Sequence, residues 1–349
     1  TVFTAKNKQT LTITGVVMDA SSYTYGDTVG YNNSSLSVTG ATTPAFDNAT
    51  LEYIYSGTPT DGSTFTTGTA APTKAGSYKL TVKVPDSNPD YMGQQVINFS
   101  IAPKALRSSD LEQTAGAKTK TYDGNAAALG ITVGVKSGSL VETTDAVTIT
   151  GSAAYNSENV SGATQIIFTP TGTGNANYTL DASATLTIEG ASITARDVSI
   201  TGATVNNKDY DGDANATVAS VTITGVSGAL NKGTDFEVTS AVFSNANAST
   251  TNIDVTINVA LKGTAASNYH LTNGTDYPVS GAAKINQATL SEGTDKSDSI
   301  RYSDTTEKTF DAAYFGFTKA GTFALNGSVT DSSSVLAAGF PTYGSTVKV

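Results

Sequence analysis

Residues able to do chemistry are few. The chain has one histidine, His270, and no cysteine, so a thiol nucleophile, a cysteine zinc site and a two-histidine metal centre are all excluded. Counting alone permits a serine nucleophile with His270 as base. No Gly-x-Ser-x-Gly turn stands in a strand-to-helix context to support one, and His270 reads as a surface strand residue. Asp209, Asp211, Asp213 and Asn215 alternate around Gly212, as oxygen ligands do in a calcium loop. The glycine stands in the wrong place for an EF-hand, no glutamate follows at position twelve, and a related stretch carries Thr121, Asp123, Asn125 and Ala127 instead. A hydrogen-bonded turn is the expected structure there.

Two other chemistries have candidate residues. Tyr53 and Tyr55 lie two apart, so on a strand they share a face and could stack against sugar. Tyr23, Tyr25 and Tyr31 are close in sequence, but there is no tryptophan, and a tyrosine pair on a strand more commonly packs in a core. Lysines near the starts of segments (Lys6, Lys8, Lys118, Lys120, Lys208) and asparagines near their ends (Asn98, Asn177, Asn268) permit a lysine–asparagine crosslink, and a lysine–aspartate one is the alternative. Such a bond needs a lysine buried deeply enough to lose its proton. No residue is assigned as catalytic, cofactor-binding or metal-binding, and the chain is read as not an enzyme.

The elements that would hold these residues repeat. Tyr122-Asp123-Gly124 returns 88 residues later as Tyr210-Asp211-Gly212, and Asn177-Tyr178-Thr179-Leu180 returns 91 later as Asn268-Tyr269-His270-Leu271. Each Asp-Gly predicts a tight turn, with glycine at positive φ and aspartate capping nearby amides. Asp90-Tyr91 holds the place of the Asn-Tyr pair in the first segment. These tyrosines are expected to plug a module end and bond a backbone carbonyl, as a tyrosine corner does.

Around the motifs, apolar residues alternate with polar ones. Leu11–Thr14, Leu36–Thr39, Leu51–Tyr55, Tyr78–Val84 and Val96–Ile101 read as strands of the first segment. In the repeats, Ile131–Val133 answers Val221–Ile223, Ala146–Ile149 answers Phe236–Val238, Ile166–Phe168 answers Val255–Val259, and Ala184–Ile188 answers Val279–Ile285. The expected fold is all-β: tandem Ig-like β-sandwich domains in an elongated rod. The boundaries are 1–103, 104–194, 195–289 and a partial or divergent 290–349, joined by junctions too short for flexible coil.

The two Tyr-Asp-Gly segments resemble the YDG modules found in tandem in large bacterial surface proteins and adhesins. The first segment, with Tyr25-Gly26-Asp27, Ala75-Gly76-Ser77-Tyr78 and Ile101-Ala102-Pro103-Lys104, resembles the MBG-type module that neighbours them. The resemblance implies a secreted or cell-surface bacterial segment, acting as an adhesin-type stalk or spacer that presents other domains. The alternative is a carbohydrate-binding module or an accessory region of an extracellular glycoside hydrolase, binding host or dietary glycans or host surface proteins.

Composition agrees with an extracellular β-protein. Charged residues make up 14% of the chain and its net charge is −10, with lysines and arginines scattered, which argues against nucleic acid as a partner. No apolar run approaches the ~20 residues of a membrane helix, so no membrane insertion is expected of this segment, nor any oligomer. The chain starts at Thr1 and stops within a strand-like stretch at Val349, and is read as an excised piece of a longer protein.

Overall fold

The computed structural model describes residues 7–288, and the expected fourth module at 290–349 lies outside them. The described chain is all-β, with one α-helix, Gly263–Asn268. Its residues fall into two compact units that part between Thr194 and Ala195.

One topology occurs three times. The opening strand pairs in parallel with a short strand that begins at the tyrosine of the Asn-Tyr or Asp-Tyr pair. These ladders are Gln9–Thr10 with Tyr91–Met92, Lys104–Leu106 with Tyr178–Leu180, and the start of Arg196–Val205 with Tyr269–Leu271. The chain then forms an antiparallel pair: Thr12–Thr14 with Ser37–Thr39, Leu111–Ala115 with Thr132–Val135, and the rest of Arg196–Val205 with Val218–Thr224. A short strand just before the motif tyrosine pairs in parallel with the closing strand. Here Tyr23–Thr24 joins the end of Gln94–Ala102, Thr119–Thr121 joins Ser192–Thr194, and Lys208–Asp209 joins Ile285–Asn286.

The opposite layer of each module is a three-stranded antiparallel set. Its members are Glu52–Pro59, Gly76–Lys83 and Gln94–Ala102 in the first, Thr150–Tyr155, Gln165–Gly172 and Leu186–Glu189 in the second, and Phe236–Phe243, Ile253–Leu261 and Tyr277–Ala283 in the third. Side-chain alternation decides what each strand buries. In Gly76–Lys83, Tyr78, Leu80 and Val82 turn inward while Ser77 and Lys79 face out. Full burial of a side chain such as Leu80 stabilises by about 1.5–3 kcal/mol. In the third module Ile200 and Val218 of one layer meet Phe236, Val255 and Ile257 of the other, so the core sits between two sheets.

The first two modules, 7–103 and 104–194, share a single apolar cluster that runs from Leu11 to Ile193. One expectation needs correcting. Ala146–Ile149 is not a strand: a turn closes with Asp145 N–H to Glu142 O at 3.0 Å, and the strand begins only at Thr150. The short helix Gly263–Asn268 ends on the buried Asn268.

Candidate functional site

The tyrosine of the Tyr-Asp-Gly motif and Tyr25 of Tyr25-Gly26-Asp27 sit at the same structural position in the three modules. The backbone N–H of Tyr25 donates to Ala102 O, that of Tyr122 to Thr194 O, and that of Tyr210 to Asn286 O, at 2.8–2.9 Å. Each bond extends the parallel ladder to the closing strand, which fixes where the following loop begins. Gly124 and Gly212 turn that loop at φ of 82° and 89°. Asp123 Oδ1 accepts from Asn125 N–H and Asp211 Oδ1 from Asp213 N–H, both at 3.2 Å, giving the two-residue-ahead bond typical of aspartate turns.

The centre of each loop is filled by a lysine from the strand two residues upstream of the tyrosine. Lys208 Nζ reaches Asp211 Oδ1 and Asp213 Oδ1, both at 2.7 Å, Asp213 O at 3.2 Å and Asn215 O at 3.1 Å. Lys120 Nζ reaches Asp123 Oδ1 at 2.7 Å, Asn125 O at 2.7 Å and Ala127 O at 3.1 Å, and lies over the Tyr155 ring. Two of the four side chains that looked like calcium ligands in sequence, Asp211 and Asp213, therefore meet an ammonium group. Asn215 reaches it through its carbonyl, and Asp209 Oδ1 accepts from Asn286 Nδ2 at 3.2 Å. The Lys208 hydrogen bonds hold the Asp211 and Asp213 carboxyls below the usual range. Burial pushes the Asp123 carboxyl up, but the Lys120 bond and the Asn125 amide outweigh it and bring it down. For Lys208, burial lowers and the two carboxylates raise; the carboxylates prevail.

In the first module the ladder position of the lysine is taken by Tyr23, whose hydroxyl bonds Asp19 and donates to Gly30 O at 3.0 Å. Its motif tyrosine, Tyr25, reaches into the second module. The Tyr25 hydroxyl donates to Asp145 Oδ2 of the second module at 2.9 Å, and Tyr178 donates to the same oxygen at 2.6 Å. The two rings meet edge to face at 5.4 Å. Tyr178 Oη also accepts from Val141 N–H at 2.8 Å. Asn177 Oδ1, almost fully buried, accepts from Ala75 N–H at 3.0 Å. Close approach is needed here, since a Cβ on Gly26 would stand 3.0 Å from Val141 Cγ2. Burial, and then the Asp145 bond, pushes the Tyr178 phenol up to about 12 and raises Tyr25 as well.

A cleft of about 860 Å³ opens over this seam, lined in part by Asp27, Asp61, Lys74, Glu142 and Asp145. Its acids are largely engaged. Asp145 serves two phenols, Asp61 takes Lys74 Nζ at 2.7 Å, and Asp27 accepts from Thr24 N–H at 2.7 Å. Among the described residues no group of three or more acidic, histidine or cysteine side chains is arranged to hold a metal ion. What the arrangement does chemically is fix one module to the next.

The remaining sequence candidates disperse. Tyr55 faces Leu80 across the ladder and Tyr53 faces Val82, both wholly buried partners. The face the two tyrosines share is thus the core face, and Tyr55, 3% exposed, offers no ring to a sugar. Tyr53 stacks on Tyr31 at 4.6 Å and 8°, and its hydroxyl accepts from Asn33 Nδ2 at 3.3 Å. His270 Nδ1 lies 2.8 Å from Asp197 Oδ1, an exposed pair across the opening ladder. Lys8 bonds Asp86 O and Lys118 bonds Glu189 O, while Lys120 and Lys208 fill their loops. Lys6 lies outside the described residues. A crosslink needs a neutral amine, and Lys208 is held charged. Two of the expected tyrosine corners reach carbonyls: Tyr269 donates to Ser227 O at 3.1 Å and Tyr91 to Pro44 O. Tyr178 reaches a carboxylate instead. Asp145 was missed, because nothing in the sequence around it distinguishes it from other turn aspartates.

Fold and loops together define a chain of repeated two-sheet β-modules keyed by a Tyr-Asp-Gly turn. The family model described as YDG domain matches residues 102–186 and again 194–277. The chain carries two YDG domains in tandem. No curated protein matches it.

Proposed function

We propose that the chain is a non-enzymatic segment of a secreted or cell-surface bacterial protein, an adhesin-type spacer whose modules follow one another in an elongated array and present other domains. The first module, with its Tyr25-Gly26-Asp27 turn, is assigned to the MBG type that accompanies YDG modules. The observation that carries this reading is where the repeated residues spend their bonding capacity. Lys120, Lys208, Asp123, Asp211, Asp213, Tyr178 and Tyr269 form internal bonds, which is what a repeat selected for architecture would retain. Small-angle scattering and sedimentation of the full chain test it. A monomer much longer than wide is expected; a compact particle would overturn the array.

The alternative, a glycan-binding segment, has one observation in its favour. Tyr31, stacked on Tyr53, is 36% exposed. Affinity electrophoresis of the full chain against soluble polysaccharides and host glycans separates the two. The spacer shows no retardation, whereas a binder is retarded and loses retardation on Tyr31→Ala.

A further inference from the structure

The parallel ladders recur where chain tension would enter and leave each module. In the third module the opening strand pairs Arg196 with Tyr269, Asp197 with His270 and Val198 with Leu271. The closing strand pairs Ile285 with Lys208 and Asn286 with Asp209. The first and second modules carry the same two ladders, Gln9 with Tyr91 and Ile101 with Tyr23, then Lys104 with Tyr178 and Ser192 with Thr119. In every case one strand of the ladder lies near the module's start and the other near its end.

Parallel direction fixes how such a ladder is strained. Tension on the chain draws the earlier strand by its N-terminal end and the later strand by its C-terminal end. In a parallel pair those ends lie at opposite extremes of the ladder, so the strands must slide along each other and all cross-strand bonds share the force. In an antiparallel hairpin the two ends lie together, and bonds open one after another. Forced unfolding is governed by the barrier that must be crossed, and simultaneous rupture presents the higher one. Lysine-filled loops extend the closing ladders of the second and third modules, since Lys120 and Lys208 stand on those strands and tie them to the turn that follows.

We propose that each module is a tension clamp: paired parallel ladders at its two ends make it resist force applied through the chain termini far better than force applied across a hairpin. The property adds to the spacer reading and does not depend on it. A chain that resists force yet never reaches a cell surface would overturn that reading and leave the clamp intact.

The absence of cysteine supplies the experiment, because two introduced cysteines give unique thiol handles in the full chain. One variant combines Ala195→Cys with Gln287→Cys and pulls along the module; the other combines Glu237→Cys with Ala260→Cys, register partners of one hairpin, and pulls across it. The chain released between the handles identifies each event: its full extension is about 300–330 Å for the first and about 75–85 Å for the second, and the length gain is that extension less the folded distance between the handles. At equal loading rate the rupture force along the module should be at least about twofold higher. Equal forces, or a weaker one along the module, overturn the clamp. Both variants must keep the parent's urea midpoint; should the hairpin pair disturb it, Ser240→Cys with Asn258→Cys probes the same geometry.

Discussion

The phenol of Tyr25 donates to the carboxylate of Asp145, 120 residues further along the chain, at 2.9 Å. Tyr178, which opens the strand beside Lys104–Leu106, donates to the same oxygen from within the second module. One carboxylate thus closes a module end and joins that module to its neighbour.

Replacing that acceptor should weaken the first unit alone. Asp145→Ala leaves two largely buried phenols without their partner, a loss of about 1–3 kcal/mol for an unsatisfied buried donor. Urea unfolding should show the transition of residues up to Thr194 shifted to lower denaturant, with that of the third module unchanged. An unaltered first transition would show that the seam contributes nothing.

Alkali should act through the same residues. Tyrosine in the unfolded chain ionises near ~10, whereas folded Tyr178 is pushed up to about 12 and Tyr25 is also raised. A raised folded value means the native state holds its proton longer, so the contribution is full below pH ~10 and is lost as pH rises toward about 12. Urea midpoints measured from pH 8 to 12 should fall across that window, and Tyr178→Phe should flatten the decline.

The loop lysine predicts an acquired property. Lys208→Ala removes the ammonium but leaves the Asp211 and Asp213 carboxylates and two carbonyl oxygens converging. The variant should gain millimolar-range calcium affinity, typical of weak oxygen sites, seen as terbium luminescence that calcium displaces. The parent chain should show none. Luminescence equal in both would mean that lysine does not fill a cation's place.

The turn glycines should tolerate change only at a backbone cost. A Cβ on Gly212 meets nothing within 4 Å, so Gly212→Ala costs about 1–2 kcal/mol through its left-handed φ alone. Gly57→Ala, whose Cβ would lie 2.4 Å from Ser77 O, should be clearly worse in thermal unfolding. Equal losses would contradict this division.

Much of the local structure was legible in the chain because it depends on local chemistry. Asp123-Gly124 and Asp211-Gly212 specify a turn wherever they occur, and the alternation through Tyr78, Leu80 and Val82 specifies one buried strand face. Tyr53 and Tyr55 were correctly placed on one face, but spacing does not say which face is the core; Leu80 and Val82 across the ladder decide that. Lys208 was visible as a residue and invisible as a loop filler, because its carbonyl partners carry no sequence signature. The Tyr25–Asp145 bond was out of reach altogether: at a sequence separation of 120, no period or motif links the two.

That separation sets an order of events during synthesis. At about 5–20 residues per second, Asp145 emerges some 6–24 s after Tyr25, and Asn177, the acceptor for Ala75, later still. The nascent first module must wait with its far face open to water, so a chaperone or protease meets it in a half-finished form that the completed protein never displays.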